Sequence, residues 1–169
     1  MPKIVDPWWL AFKRADSALP QQWPQAIKQA SAGIGAAAVR RIRQSKGMLL
    51  VEGDPDCRSA GSFFKNPAIT ADVAERVRTF AESAGLALRA YPTTDGLVKI
   101  PAAWLIEQAG FPKGYSLGAA GISSRHTLAL INLGGATAKE IMALADRIVA
   151  VVEERFGIRL EMEPVMLGF

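Results

Sequence analysis

The groups that could act on an anionic substrate are concentrated in three short segments. Gly61-Ser62-Phe63-Phe64-Lys65-Asn66-Pro67 sets a serine after a glycine, with two large aromatics between it and a Lys-Asn-Pro turn. A nearby ammonium favours the alkoxide form of a hydroxyl and so makes it a better proton donor. The same residues also suit an ordinary turn carrying two core phenylalanines. Arg40, Arg41, Arg43, Lys46, Arg58 and Lys65 crowd into one stretch, with Glu52, Asp54 and Asp56 among them. Such density fits an anionic ligand, phosphate or carboxylate. Leu160-Glu161-Met162-Glu163 alternates, and on a strand Glu161 and Glu163 would share a side, as a solvated face or as part of a site. His126 is the one histidine and titrates near neutrality; a structural role at a strand start and a place in a site both remain open.

Two glycine motifs invite chemistry and have plainer explanations. Gly33-x-Gly35-x-x-Ala38 mimics a dinucleotide fingerprint, but the fingerprint needs a strand before it, and Gln25 to Ser31 reads as helix. Small residues allowing close helix packing explain it better. Gly134-Gly135 could present backbone N–H groups to an anion at a helix start, or simply make a strand-to-helix turn that needs positive φ.

The chain of 169 residues is half hydrophobic and carries a net charge of +4, enough apolar mass for a buried core in one ordinary domain. The longest stretch without Lys, Arg, Asp or Glu runs from His126 to Ala138, too short for the roughly 20 apolar residues of a membrane span. No apolar signal-peptide region is visible near the N-terminus. One cysteine, Cys57, excludes an internal disulfide framework and fits a reducing, cytoplasmic compartment. One histidine with one cysteine argues against a structural metal site. Nucleic-acid binding through Arg40 to Lys46 lacks the interleaved exposed aromatics of a stacking surface, since Phe63 and Phe64 read as core.

The elements that must position these groups alternate in type. Residues 1–29 form a Pro/Trp-rich arm with Trp8, Trp9 and Trp23, which needs something to pack on; residues 30–169 form the domain proper. Pro24 to Met48 reads as one or two helices with Ile34, Ala38, Val39 and Ile42 as an apolar stripe. Met48 to Val51 is a strand candidate and Asp54 to Pro67 a loop. Thr70 opens a helix with Val73, Val77, Phe80, Ala81 and Ala84 inward, closed by Gly85. Leu86 to Tyr91 predicts a strand, Thr93 to Gly96 a turn, and Pro101 the first position of a short helix ending at Gly110. Phe111 to Arg125 is Gly- and Ser-rich, and Leu128 to Asn132 predicts a strand. Thr137 and Glu140 make a capping box for a long helix ending at Gly157, before a final strand over Ile158 to Met162. Short connections between mixed elements point to an α+β fold with a mostly antiparallel sheet.

Taken together, Arg40-Arg41-Ile42-Arg43-Gln44-Ser45-Lys46, Ser59 to Pro67, Tyr91-Pro92, Asp95 to Glu107 with its Ala-Ala-Trp-Leu-Ile segment, and Leu160 to Glu163 with Gly168 occur in one order. That set resembles MurB, the flavoprotein UDP-N-acetylenolpyruvoylglucosamine reductase family of peptidoglycan synthesis. The resemblance covers about residues 30–169 and corresponds to the family's C-terminal, substrate-binding domain. It implies reduction of UDP-N-acetylglucosamine enolpyruvate to UDP-N-acetylmuramate with FAD and NADPH. It makes Ser62 the proton donor and Glu163 the acidic catalytic residue at the enolpyruvyl carboxylate. It makes Lys46, Asn66 and Tyr91 substrate-binding, chiefly at the diphosphate, and sets His126 where some members carry a substrate-contacting glutamine.

The departures from the family pattern are as specific as the matches. The glycine-rich flavin loop and the Tyr-Arg-x-Ser-x-Phe motif are missing; Trp8 and Leu10 would fall at its arginine and serine. Pro164 stands where a valine is usual. The resemblance therefore implies that FAD is bound by a domain absent from this sequence, that no residue here binds it, and that the isolated chain is inactive without that partner. A fragment, a truncated product, half of a split enzyme and a non-catalytic UDP-sugar-binding module all fit.

Overall fold

The computed structural model describes residues 25–165, with side chains from Gly35 onward, in two units that divide between Ser45 and Lys46. The Pro/Trp-rich segment 1–24 and Gly168 lie outside the described residues. The first unit contributes helix α1, Gln25–Ser45. It runs unbroken through Gly33-x-Gly35-x-x-Ala38, so those glycines occupy a helix interior, with helix directly before them. Two members of the predicted stripe, Val39 and Ile42, are 37% and 40% exposed.

The second unit holds two antiparallel sheets. Strands β1 (Ser59–Ser62), β5 (Ser116–Leu117), β6 (Ala120–Ile122) and β7 (Ala129–Asn132) form one, in the order β1-β7-β6-β5. Strands β2 (Ala68–Ile69), β3 (Tyr91–Pro92) and β4 (Val98–Lys99) form the other, with β4 in the middle. Every pairing is antiparallel, as the mixed elements and short connections predict. The helices are α2 (Ala71–Ser83), α3 (Ala102–Gln108) and α4 (Ala138–Phe156).

Helix α4 organises the core. Leu144, Ile148 and Val152 recur at helical spacing and are fully buried, facing β6, β7 and α3. Its N-terminus carries the expected capping box: Thr137 accepts from the Glu140 N–H while the Glu140 side chain accepts from the Thr137 N–H. Opposite lie Ile122 and Leu130 from the sheet, Leu105 and Ile106 from α3, and Val77 from α2, all in one cluster with Phe63 and Phe64. Phe80, Trp104 and Phe156 close its end, with ring centroids 5.4–6.3 Å apart and Phe80 edge-on to the other two.

Several sequence expectations shift. Met48 to Val51 is irregular with a bend at Leu49, not strand; it is held there by Cys57, whose Sγ donates to the Leu49 carbonyl. The predicted strand Leu86–Tyr91 shrinks to Tyr91–Pro92, and Ile158–Met162 forms only the single bridge Met162–Phe64. Conversely, the stretch read as loop from Asp54 holds β1, and the Gly/Ser-rich stretch holds β5 and β6. Pro101 precedes α3 as its N-cap rather than opening it. The Gly134-Gly135 turn has φ of 139° and 76°, and Asn132 Oδ1 accepts from the N–H groups of Gly134 and Ala136 at 2.9 and 3.0 Å. The turn reading is the correct one there, because the side chain of Asn132 takes the role an anion would have.

Candidate functional site

Ser62 ends β1, and a bulge sets its aim. The register with β7 shifts between Ser59 and Ser62, where Gly61 takes φ +88°, a conformation open to glycine and strained for other residues. Simple alternation fails beyond it, for Phe63 and Phe64 are both buried, at 4% and 1% exposure. Their rings, 5.6 Å apart, sink the loop into the core and leave Ser62 at its half-buried rim.

The terminal segment pairs with this loop. The Glu163 N–H donates to the Phe63 carbonyl at 3.0 Å, and the Lys65 N–H donates to the Glu161 carbonyl at 2.9 Å. Glu163 thus stands opposite the residue after Ser62, and its side is exposed. Glu161 is drawn into an ion pair with Lys65, so Lys65 answers a carboxylate of its own chain.

His126 arrives from the β6–β7 hairpin. Its Nε2 lies 3.3 Å from Ser62 Oγ. Three interactions fix the loop that presents it. The fully buried Ser123 Oγ accepts from the N–H groups of Arg125 and His126 at 3.1 and 3.2 Å. Asp56, buried in the 3-10 turn Pro55–Cys57, accepts from the Ser124 N–H at 2.9 Å, the Ser124 hydroxyl at 2.7 Å and Arg125 Nε at 3.1 Å. Arg125 reaches Asp54 as well. Beside His126, the Thr127 hydroxyl donates to Glu107.

Electrostatics follow from these contacts. Burial, then the ammonium groups of Lys46 and Lys113, hold the His126 pKa below its ordinary value. Burial pushes Asp56 up, but its bonds from Ser124 and Ser123 and the charge of Arg125 outweigh that, and its carboxyl sits below the usual range. The Arg125 hydrogen bond does the same for Asp54.

The structure therefore brings Ser62, His126 and the charge of Lys46 together, with the Glu163 backbone alongside. Asn66 and Tyr91 are placed differently. Asn66 Oδ1 accepts from the Ala102 N–H at 2.8 Å, so half of its amide holds the start of α3. Tyr91 is 53% exposed on β3, opposite Lys99, which also pairs with Ala68 just past the Asn66-Pro67 turn. An apolar groove of about 510 Å³ beside the site has Phe63, Leu130, Ile141, Met142 and Pro164 on its walls; Ser62, His126 and Glu163 do not line it.

Sequence reading missed the Asp54–Asp56–Arg125–Ser124 clamp and Lys113. Asp54 and Asp56 read as members of the basic cluster, yet they turn to a loop about seventy positions further on. The complementary types were visible; their proximity was not. The clamp predicts a stability effect. Asp56→Asn should cost about 2 kcal/mol at neutral pH, since charge-assisted bonds are lost from a buried site, read as a lower urea midpoint at constant slope. Because the folded pKa of Asp56 is depressed, its contribution is complete above about pH 4 and fades as pH falls through the lower folded value. The difference between the two proteins should shrink in the same window; a difference independent of pH would remove the charge from the account.

Comparison with known proteins agrees with this fold. The family model for the UDP-N-acetylenolpyruvoylglucosamine reductase C-terminal domain matches residues 54–167. The UDP-N-acetylenolpyruvoylglucosamine reductase of Thermobifida fusca (strain YX) is 55% identical over 134 residues, covering 78% of this chain and 38% of the relative. Those of Nocardia farcinica and Mycobacterium tuberculosis (strain H37Rv) are 50% and 44% identical, over 79% and 86% of this chain. The chain spans little more than a third of the length of these curated relatives. It carries the bulged serine loop, the terminal acidic segment and the α+β frame between them, and it belongs to the UDP-N-acetylenolpyruvoylglucosamine reductase family, as a C-terminal domain of that type.

Proposed function

We propose that this chain is the substrate-binding and proton-donating part of a flavin-dependent reductase that converts UDP-N-acetylglucosamine enolpyruvate to UDP-N-acetylmuramate, an NADPH-consuming step of peptidoglycan synthesis. The observation that carries the reading is the Ser62 hydroxyl at 3.3 Å from His126, a ring on which Lys46 and Lys113 act, with the Glu163 backbone paired to the next residue of the serine loop. With Cys57 its one cysteine, the chain suits the reducing cytoplasm. Among the described residues no helix is long and apolar enough to cross a membrane.

The described residues suit an anionic substrate and a proton, and neither glycine pair among them forms a flavin-phosphate loop. Their one fingerprint-like glycine pair lies inside α1, and the Gly134-Gly135 turn is filled by Asn132. We assign FAD to a separate flavin-binding domain; bound there, it would supply hydride to the enolpyruvyl methylene carbon. The adjacent carbon then holds negative charge shared with its carboxylate. Ser62 gives its hydroxyl proton to that carbon: the O–H bond breaks, the C–H bond forms, and the alkoxide regains a proton from solvent. Glu163 works at the enolpyruvyl carboxylate, and preorganised cations lower the cost of the charge. Lys46, Asn66 and Tyr91 hold the diphosphate, a role a lysine fills as a point charge.

Calorimetry of the chain with UDP-N-acetylglucosamine enolpyruvate tests the binding half. Lys46→Ala should weaken binding about tenfold or more, and in a chain joined to its flavin domain should raise KM while leaving kcat nearly unchanged. An unchanged KM takes Lys46 out of the diphosphate site. Binding that persists with no turnover after reunion favours a UDP-sugar-binding module instead.

A further inference from the structure

We propose that His126 is a positioning residue for the Ser62 hydroxyl: its Nε2 carries the ring proton and donates it to Ser62 Oγ, so that the serine's own hydrogen points away from the ring and toward the substrate. The inference rests on Ser62 as proton donor and adds the direction of the bond that aims it.

A Ser–His contact at 3.3 Å has two opposite uses. If Oγ–H donates to the ring, the imidazole is a base and the serine a nucleophile, and the ring becomes a cation as the reaction proceeds. If the ring donates to Oγ, it stays neutral and the oxygen is stabilised as it loses its proton to the substrate. The surroundings separate the two. The charged groups acting on the ring are Lys46, ahead of β1, and Lys113, in the loop after α3; both are cations and both oppose an imidazolium. In a base-and-nucleophile arrangement a carboxylate orients the ring and offsets its charge. Asp54 and Asp56 are taken by Arg125 and Ser124 instead, Glu107 accepts from Thr127, and Glu163, on the terminal segment, is exposed. The field that penalises a protonated ring is the field that favours an anionic serine oxygen.

The fixed backbone supports a directional role. Ser123 Oγ, Asp56 and the Ala129 N–H bond to the His126 carbonyl at 3.0 Å hold the loop on both sides of the ring. A hydrogen bond is worth using for aim only when its donor cannot wander.

Because the chain has one histidine, nitrogen-15 NMR of the full chain reads this ring without ambiguity. Near pH 7.5 the ring should be neutral with the proton on Nε2, and that proton should exchange slowly with water. Ser62→Ala should make the same proton exchange quickly. A proton on Nδ1, or equal exchange in the two proteins, overturns the inference. Joined to its flavin domain, the enzyme should lose about a hundredfold in kcat with His126→Leu and recover to within about tenfold with His126→Gln, whose amide restores an N–H donor. The kcat profile should stay level as pH falls through the His126 titration, since an imidazolium also donates; an acid-side loss tracking that titration overturns the proposal and makes the ring a base. Full turnover in Ser62→Ala would instead end the reductase reading itself, whatever the ring shows.

Discussion

Ser62→Ala, in the chain joined to its flavin domain, is expected to slow reduction of the enolpyruvyl substrate by about a thousandfold while NADPH oxidation in the first half-reaction proceeds at its normal rate. The size follows from removing a positioned general acid, which contributes roughly two to four orders of magnitude. The selectivity follows from position. Ser62 sits at the rim of the β1 bulge and touches His126; as the proposed proton donor it would act in the second half-reaction alone. Stopped-flow measurement of the two half-reactions separates them. The variant loses one half-buried hydrogen bond to His126, so stability should fall by no more than about 1.5 kcal/mol. A variant that reduces substrate at the normal rate removes Ser62 as the acid. One that slows both half-reactions alike points to a general disturbance of the protein.

The second large effect is on stability. Phe64→Ala should cost about 4 kcal/mol, because an almost fully buried ring leaves a cavity as well as lost burial. Phe64 is also the residue that bridges Met162 and so joins the serine loop to the terminal segment carrying Glu163. Phe64→Leu keeps most of the volume and should cost under about 1.5 kcal/mol. Urea unfolding of the three proteins measures both values. A loss below about 1 kcal/mol for the alanine variant would mean the loop is not anchored through this ring. Wild-type unfolding of a domain this size rests on about 5–15 kcal/mol, so the alanine variant uses up a large part of the margin.

What the sequence alone determined is local. The capping box at Thr137 and Glu140, the stripe of Leu144, Ile148 and Val152, and the glycine before Ser62 are written in contiguous residues, because helix caps, helical faces and positive-φ turns depend on neighbours a few positions apart. The family-specific order of segments was legible for the same reason. Long-range pairing decided the rest. Met48–Val51 has the residues of a strand but finds no partner strand among the described residues, whereas Ser59–Ser62, which reads as loop, becomes β1 because β7 lies alongside it. The resemblance makes Asn66 a substrate ligand; that its amide oxygen also accepts from the Ala102 N–H at the start of α3 is set by a helix thirty-six residues later. The contact of Ser62 with His126, and the Asp56 clamp that holds the loop behind it, join residues more than sixty positions apart. Side-chain types supply the chemistry those groups can do. Only the folded sheet, by laying β1 against β7 and the terminal segment against the phenylalanine loop, chooses which of them meet.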